Sequence, residues 1–498
     1  MQRDRALTIF EKSKPGRRAA RLPATGVPER LLEDLIPAHL LRADPPRLPE
    51  VSEPEIVRHY NRISRRNFDI DSGFYPLGSC TMKHNPRLNE RVAALPGHAR
   101  LHPAQAPRRA QGALELMWLL QQSLAEICGL PHVSLQPSAG SHGELAGLLL
   151  TRAFHADRGE ERSKVLTPDT AHGTNPASVT MAGYEVVKVA TNERGGVDMD
   201  DLRAKVSEDV ACLMLTNPNT LGLFDENIAE IAALIHETGG TLYYDGANLN
   251  AVMGHSRPGD MGFDIVHVNL HKSFSQPHGG GGPGAGPIAV SERIEPFLPR
   301  PQVVRREARD GGAGAFFDLD HDRPKSIGRL RGFQGNFGVF VRSYAYILSL
   351  GGDGLAEASE TAVLNANYLK ARLAEGRAGK HLPVAFDRHC MHEFVLSGAP
   401  MKRALGIKTL DLAKRLLDFG FHPPTVYFPL LVDEALMVEP TETEPKESLD
   451  GFADAVEEIL AEAEGDPEVA RNSPYTTPVR RLDEVRAARR PILRQPLG

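Results

Sequence analysis

The chain has 498 residues, and with 41% hydrophobic and 24% charged residues it has the composition of a folded protein rather than a disordered or fibrous one. Its net charge of −6 gives no overall attraction to nucleic acid or to an anionic membrane, and no apolar run approaches the ~20 residues of a membrane span. The length exceeds what one hydrophobic core usually supports, so we expect two or three structural units.

The first segment, residues 1–105, is rich in proline and arginine and contains few long periodic apolar segments, which is typical of an arm rather than a domain. Its basic start lacks the apolar core of a signal peptide. The four cysteines of the chain are widely separated and match neither a disulfide framework nor a metal site. We therefore expect a cytoplasmic protein without a metal centre.

Residues 106–340 alternate between apolar strands and helices, which predicts a large domain of βαβ units with a mostly parallel sheet covered on both faces. An apolar helix begins near residue 111 and ends before Gly129. The pattern then predicts helices at 143–154 and 227–236, and strands at 133–135, 185–189, 210–215, 241–244 and 264–269. In such a sheet, ligands bind beyond the carboxyl ends of the strands.

A smaller α/β domain is predicted for residues 341–470. The preceding segment, 293–331, reads as a loop because it is rich in arginine, glycine and proline. A long helix at 339–374 leads into the smaller domain, which has a predicted strand at 393–396 and helices at 410–419 and 448–462. The polar residues 471–498 predict a surface tail.

The first candidate site is the segment 137–144, with the sequence PSAGSHGE. Ser141 and Glu144 predict a capping box at the start of an apolar helix. Free backbone N–H groups at a helix start, with glycines that allow close approach, form an anion site suited to one phosphate. A capped helix with no ligand is the alternative, and it is the commoner outcome for such loops.

Two charged residues directly follow predicted buried strands. Asp245 requires a cation or hydrogen-bond donors in that position, unless it only caps a turn. Lys272, after the next strand, is a natural Schiff-base nucleophile. The glycine run at 279–282 follows the lysine and lacks the Gly-Lys-Ser/Thr of a nucleotide-triphosphate loop.

An anion site, a carboxylate and a lysine at strand ends together predict a pocket for pyridoxal 5'-phosphate. The phosphate, the pyridine nitrogen and the aldehyde of that cofactor would each have one partner. Asp245 would keep the ring nitrogen protonated. His172, in the loop at 170–176, is a candidate to stack on the ring face, although a lone loop histidine is more often a hydrogen-bonded surface residue.

Longer strings in the sequence are similar to one family. The chain resembles the P-protein of the glycine cleavage system, in the split form in which the pyridoxal-phosphate subunit is a separate chain. The resemblance covers nearly the whole chain, because it includes the pocket motifs together with IFEKSKPGRR at 9–18, YPLGSCTMK at 75–83, TNPNT at 216–220 and EPTETE at 439–444.

The resemblance implies a fold-type I pyridoxal-phosphate architecture. Lys272 would form the aldimine with the cofactor, Asp245 would contact the pyridinium nitrogen, and His172 would lie on the ring face. The remaining implied cofactor contacts are Ser138, Ala139 and Gly140 at the phosphate, with Asn219 and His271 near the cofactor or substrate.

The implied reaction is the decarboxylation of glycine, with release of carbon dioxide and transfer of the aminomethyl group to the lipoyl arm of the H-protein. The implied partners are a subunit 1, with two copies of each P-protein subunit, and the lipoylated H-protein. The arm is a plausible element of the interface with subunit 1.

Alternatives remain at this level. The chain could be another fold-type I amino-acid decarboxylase or transaminase, or a non-catalytic scaffold, which the retained Asp245 and Lys272 argue against. Lys83 is a rival lysine, but it follows no predicted strand and we expect a structural or entry-loop role. Cys80 is either a redox-sensitive thiol near the site or an unreactive loop cysteine.

Overall fold

The computed structural model describes residues 7–279, 282–307 and 315–494. The chain forms two compact units, residues 7–69 with 474–494, and residues 70–473. The predicted boundaries at 105, 340 and 470 stay predictions. Residues 70–105, which the sequence places in the arm, belong to the second unit.

The described helices alternate with strands through much of the second unit. In chain order the helices are α1 (Glu53–Ser64), α2 (Arg87–Ala93), α3 (Pro96–Ala99), α4 (Gln111–Cys128), α5 (Gly140–Asp157), α6 (Thr174–Met181), α7 (Met199–Lys205), α8 (Ile228–Glu237), α9 (Leu270–Ser273), α10 (Phe337–Leu373), α11 (Gly376–His381), α12 (Ala399–Leu405), α13 (Thr409–Leu416), α14 (Lys446–Gly465), α15 (Pro467–Asn472) and α16 (Glu484–Arg489).

The described strands form three sheets. They are β1 (His132–Ser134), β2 (Lys164–Pro168), β3 (Glu185–Val189), β4 (Val210–Thr216), β5 (Thr241–Gly246), β6 (Ile265–Val268), β7 (Ile288–Val290), β8 (Gln302–Glu307), β9 (Ala315–Asp320), β10 (Phe394–Ser397), β11 (Thr425–Val426) and β12 (Ala435–Val438).

The large sheet has seven strands in the order β1-β7-β6-β5-β4-β2-β3. Neighbouring pairs from β6 to β3 are parallel, and only β7 runs antiparallel to its neighbours β1 and β6. The predicted mostly parallel sheet is therefore confirmed. The carboxyl ends of β4, β5 and β6 lie together at one edge.

Strand β4 shows why this sheet could be read from the sequence. All seven of its residues, VACLMLT, are buried, as expected for a parallel strand that is covered on both faces. Leu213 and Leu215 pack into the cluster that contains residues of α4 and α8. Cys212 and Met214 point to the opposite face and pack into the cluster that contains residues of α5. The alternation places helices on both sides of the sheet.

Residues 366–470 build a second core around the antiparallel sheet β10-β12-β11. Phe394, Leu436 and Phe452 are buried in it. The long helix α10 enters this region, and its regular backbone is interrupted at Gly351, which has φ +65°. Leu77 forms an isolated antiparallel bridge with Val438 of β12, so the segment before Lys83 joins this sheet.

Two local predictions are wrong. The segment 293–331 is not merely a loop, because it contains β8 and β9, which pair antiparallel over six residues each. Helix α5 begins at Gly140 with Ala139 as its N-cap and no side-chain cap. The predicted capping box fails because Glu144 instead accepts hydrogen bonds from Thr174 Oγ1 at 2.8 Å and Ser178 Oγ at 3.1 Å.

The unit of residues 7–69 and 474–494 contains α1 and α16. Helix α1 begins with a capping box, in which the backbone N–H of Ser52 donates to Glu55 Oε2 at 2.9 Å. Arg17 forms an ion pair with the same glutamate. Large apolar side chains of this unit are strongly exposed, among them Leu22 at 96% and Leu48 at 73%.

Candidate active site

A cavity of about 380 Å³ opens at the carboxyl ends of β4, β5 and β6. Its wall includes the start of α5, the ends of the three strands and the loop around Ser79 and Cys80. The volume lies in the usual range for a small-molecule site. The position is the one that an open α/β sheet offers to a ligand.

Lys272 lies in the single helical turn α9, which follows β6 directly, and its half-buried side chain lines the cavity. Asn269 is the N-cap of this turn, so the strand end fixes where the lysine emerges. The sequence expectation of a lysine at a strand end is met.

Asp245 is fully buried near the end of β5 and lines the same cavity. Its carboxylate accepts hydrogen bonds from Asn175 Nδ2 at 2.9 Å and from the backbone N–H of Ala247 at 3.0 Å, and His267 Nε2 lies 3.4 Å away. Burial opposes the charge, but His267, Asn175 and the Ala247 N–H outweigh it and hold the pKa of Asp245 below its usual value. An ionised carboxylate is therefore available to a cationic ring nitrogen.

Asn175 and His267 are supporting residues that the sequence did not reveal. His267 is an interior residue of β6 whose Nδ1 lies 2.7 Å from Tyr243 Oη, and no pattern distinguishes it from a core histidine. Asn175 lies in the predicted loop at 170–176, but only the tertiary structure places it beside Asp245.

The start of α5 lies at the cavity, where the sequence predicts an anion site. The helix has no side-chain cap, and the first turn of any helix leaves backbone N–H groups without intrahelical partners. Ala139, Gly140 and Ser141 line the cavity there. A Cβ at position 140 would lie too close to Asn269 Oδ1, so glycine lets this helix start pack against the side chain that is the N-cap of the Lys272 turn.

The two candidate histidines lie at the cavity wall in different settings. His172 is exposed, with its Nδ1 2.8 Å from Thr174 Oγ1 and its ring edge-on to Phe428 at 5.6 Å between centroids. His271 is half-buried, and burial together with Lys272 lowers its pKa to about 3, so its imidazole is neutral. Their contacts with a cofactor stay predictions.

Ser138 and Asn219 are placed outside the cavity lining. Ser138 Oγ lies 3.0 Å from His142 Nδ1. Asn219 is buried, donates to Gly195 O at 2.6 Å and accepts from the backbone N–H groups of Leu221 and Leu223 at 3.0 and 3.3 Å. Its amide organises the turn after β4, and a direct cofactor contact from either residue stays a prediction.

Four other cavity residues were not recognised from the sequence: Ser79, Thr216, Thr220 and Asn248. Cys80, whose role the sequence left open, also lines the cavity. Thr216 ends β4, so the rule that selected Asp245 could have found it. Burial is the main cause that raises the pKa of Cys80. Lys272 lowers this pKa, whereas Glu439 and Glu393 raise it further, and the net effect keeps the thiol protonated. Gly282 and Pro283 also line the cavity, whereas the predicted glycine run includes Gly280 and Gly281, which lie outside the described residues.

The polar groups at this site fit pyridoxal phosphate. Among the described residues, the buried atoms Asn269 Oδ1, His271 Nδ1 and Thr216 Oγ1 have no hydrogen-bond partner, and all three side chains line the cavity. Buried polar atoms are normally satisfied, so a polar ligand is expected there. Lys272, Asp245 and the α5 start supply an amine, a carboxylate and an anion site to match the three functional parts of the cofactor.

The fold and the site together define a fold-type I pyridoxal-phosphate enzyme. A solved glycine decarboxylase (P-protein) of the glycine cleavage system, in inhibitor-bound form, superposes with a TM-score of 0.72 at 22% identity, covering 86% of this chain and 95% of that one. The family model "Glycine cleavage system P-protein" matches residues 21–315, and "Glycine dehydrogenase, C-terminal domain" matches residues 358–474. The chain belongs to the glycine cleavage system P-protein family.

Full-length relatives agree with this assignment. The protein of Halalkalibacterium halodurans named probable glycine dehydrogenase (decarboxylating) subunit 2 is 58% identical over 495 residues, 99% of each chain. The protein of the same name from Bacillus licheniformis is 56% identical over 487 residues, 98% of each chain. The predicted fold class, pyridoxal phosphate cofactor and glycine-decarboxylating enzyme of the glycine cleavage system are confirmed. Among the described residues, no helix combines the length and the apolar character needed to cross a bilayer.

Proposed function

We propose that this chain decarboxylates glycine and transfers the remaining aminomethyl group to the lipoyl arm of the H-protein, with release of carbon dioxide. It acts with a different subunit 1, two copies of each forming the P-protein, in the cytoplasm. Four free thiols, three of them buried, are consistent with a reducing compartment.

The observation that carries the proposal is that Lys272 and Asp245 line one cavity at the ends of two adjacent parallel strands. Lys272 would hold the cofactor aldehyde through its ε-nitrogen. Asp245 would hold a proton on the ring nitrogen: at ~4 Å and an effective dielectric of about 20, the attraction is roughly 4 kcal/mol. Pyridoxal phosphate supplies the electron-accepting ring for the electron pair that remains when a carboxylate departs.

The residues of the cavity wall also determine how the carboxylate of a bound amino acid is held. The described residues that line the cavity include no arginine, so this part of the wall offers no bidentate ion pair to the carboxylate of a bound amino acid. A carboxylate that is held without an ion pair gives up less interaction free energy when it leaves as neutral carbon dioxide. The same observation disfavours a transaminase that must hold a second carboxylate.

In the transfer step, the electron pair left on the glycine carbon forms a carbon–sulfur bond to one sulfur of the lipoyl disulfide. The sulfur–sulfur bond breaks, the second sulfur becomes a thiol, and the glycine carbon is oxidised as the disulfide is reduced. The disulfide is the oxidant, so the balance needs no other redox cofactor.

A partner subunit is supported by the name "subunit 2" of the relatives and by the surface of the unit that contains residues 7–69. Leu22, Val27, Leu31 and Leu48 are all at least 66% exposed there. Apolar side chains concentrated in one Pro/Arg-rich segment favour coverage by another protein. We propose that subunit 1 covers them.

Lys272→Ala tests the cofactor assignment. The purified chain should show the visible absorbance band of the bound cofactor and covalent trapping by borohydride. Lys272→Ala should lose both, while the exposed Lys188→Ala control should keep both. Retention of band and trapping in Lys272→Ala would contradict the assignment.

The reaction is tested separately. Exchange of labelled carbon dioxide into glycine should require the chain, subunit 1 and lipoylated H-protein together. Formation of free methylamine by this chain alone would favour a simple decarboxylase instead. Exchange that is equally fast with H-protein lacking its lipoyl group would contradict the transfer step.

A further inference from the structure

Two fully buried glutamates lie behind the wall of the active-site cavity. Glu393 directly precedes β10 and Glu439 directly follows β12, and the antiparallel register pairs the neighbouring residues Phe394 and Val438. One carboxylate oxygen of each glutamate and one ring nitrogen of His392 lie within 4.8 Å of one another. Neither glutamate is explained by the proposed reaction.

Both carboxyl groups bind the loop that forms the cavity wall. The backbone N–H of Ser79 donates to Glu393 Oε2 at 2.7 Å. Thr81 donates to Glu439 through its backbone N–H at 2.9 Å and its hydroxyl at 2.5 Å. Ser79 and Thr81 have φ values of 64° and 51°, a costly left-handed backbone for residues other than glycine. The two glutamates therefore hold a strained loop in place, with Cys80 between them at the cavity.

Within the described part of the chain, the pair has no basic partner in contact that could neutralise two charges. Among the described residues, the only basic group within 4.0 Å of either glutamate is His392, with Nε2 3.8 Å from Glu393 and 3.9 Å from Glu439. Burial and the nearby Lys272 lower the pKa of His392 to about 3, so the imidazole is neutral. Both of its ring nitrogens are buried without a hydrogen-bond partner.

Two carboxylates this close in a buried site cannot both ionise without a large cost. Burial, and for Glu393 the proximity of Glu439, raises the pKa of both groups. The hydrogen bonds from Ser79 to Glu393 and from Thr81 to Glu439 act in the opposite direction, and the charge of Lys272 does so on each glutamate as well. Two neighbouring carboxyl groups titrate as a pair, and the second negative charge is harder to form than the first.

We propose that Glu393 and Glu439 form a carboxyl pair that shares one proton, positions the Ser79–Thr81 wall of the cavity, and places a single negative charge behind Lys272. They are positioning residues, since they act through the loop and through Lys272. The part that concerns Lys272 rests on the proposed function, whereas the shared proton does not.

Other titratable groups also face the two glutamates and act on their charge. Lys272 and Cys80 face it from the cavity side, and His392 lies between the two carboxyl groups. Glu442 acts on Glu439, but it is itself paired with Lys83 at 2.7 Å. Burial is the main cause that lowers the pKa of His278, and the charge of Glu439 acts on it in the opposite direction. Lys272 is thus the cation on which the single negative charge of the pair acts.

Infrared spectroscopy of the full chain tests the shared proton without any cofactor. Wild type at neutral pH should show the carbonyl stretch of a protonated carboxyl group. Glu393→Gln and Glu439→Gln should each lose it, because the remaining glutamate no longer meets a like charge and ionises. Glu434→Gln is the matched control, since that buried glutamate is paired with Lys402 at 2.6 Å. A wild-type spectrum without the band, or single variants that keep it, would overturn the shared proton.

The effect on Lys272 is measured by the pH at which the visible band of the loaded enzyme is half converted. Each single Gln variant keeps one negative charge and should leave this midpoint nearly unchanged. The double variant removes the charge that favours a protonated nitrogen, so its midpoint should fall by roughly one pH unit. Equal additive shifts from each single variant would show two ionised carboxylates and overturn the pair. An unchanged midpoint in the double variant would overturn the charge placed behind Lys272. Absence of any band would instead refute the proposed function.

Discussion

The ammonium of Lys83 donates a hydrogen bond of 2.9 Å to the backbone carbonyl of Ser273, the residue that directly follows Lys272. Lys83 also forms a 2.7 Å ion pair with Glu442, and Tyr346 Oη lies 3.3 Å from its ammonium. The rival lysine of the sequence is therefore a buried support for the turn that carries the proposed nucleophile. Its charge is committed to Glu442, so it is not itself a free amine for an aldehyde.

Lys83→Met should leave Glu442, whose side chain is only 11% exposed, without its cation and destabilise the chain by on the order of 3–5 kcal/mol. Burial alone disfavours the charge, but Glu442 outweighs it and holds the pKa of Lys83 above its ordinary value. A raised lysine pKa gives stability that is fully present below the unfolded pKa of ~10.4 and is lost only as pH rises through the folded value. Urea unfolding at pH 7 and at pH 9 should therefore show similar losses in the variant.

The double variant Lys83→Met with Glu442→Gln is the control for the unpaired charge, and it should recover part of the lost free energy. Borohydride should still label Lys272 in Lys83→Met. Labelling at residue 83 in wild type, or a loss of label in Lys83→Met without a loss of stability, would contradict the supporting role.

The sequence could predict the elements that bury apolar residues continuously. Strands β4, β5 and β6 and helix α4 were located to within about two residues, because their burial is set by local pattern. The ribbon of β8 and β9 was missed because its residues are largely half-exposed and its composition is that of a loop. Lys272 and Asp245 were found because a charge at a strand end has few structural uses.

What the sequence could not provide was tertiary pairing. Glu144 fits a capping box locally, but Thr174 and Ser178 of α6 capture its carboxylate. Glu393 begins a predicted strand and Glu439 begins the EPTETE segment, yet only the pairing of β10 with β12 places the two together. Polar side chains acquire their roles from partners far away in the chain, which no local pattern records.

Asp245→Asn should keep the cofactor bound and trapped on Lys272, because the phosphate site and the lysine are unchanged. The exchange of carbon dioxide into glycine should fall by roughly 10³-fold, since the neutral amide no longer holds the proton on the ring nitrogen. Asn175→Ala removes only one donor to Asp245 and should cause a smaller loss. Full exchange activity in a cofactor-loaded Asp245→Asn enzyme would contradict the role of this carboxylate.

Gly140→Ala should weaken cofactor binding by closing the gap between the α5 start and Asn269. The added methyl group must displace the side chain of Asn269, the N-cap of the Lys272 turn, or move the helix start. Either change disturbs the spacing between the phosphate site and the lysine. Gly112→Ala is the matched control, because it also lies in the first turn of a helix and meets no atom within 4 Å. Cofactor titration by absorbance should give a raised dissociation constant for Gly140→Ala alone, and equal constants for both variants would refute the close approach.

His271 should make the chain less stable in mild acid. Burial and Lys272 lower its pKa to about 3 in the native state, whereas a histidine in an unfolded chain titrates near ~6.5. Between these values the unfolded state binds the extra proton, so the free energy of unfolding falls with decreasing pH by up to about 1.4 kcal/mol per pH unit. His271→Gln should remove this contribution, and the exposed His321→Gln should not. Urea unfolding between pH 4 and pH 6 measures the difference in slope, and parallel curves for wild type and His271→Gln would show that His271 is protonated in the folded chain.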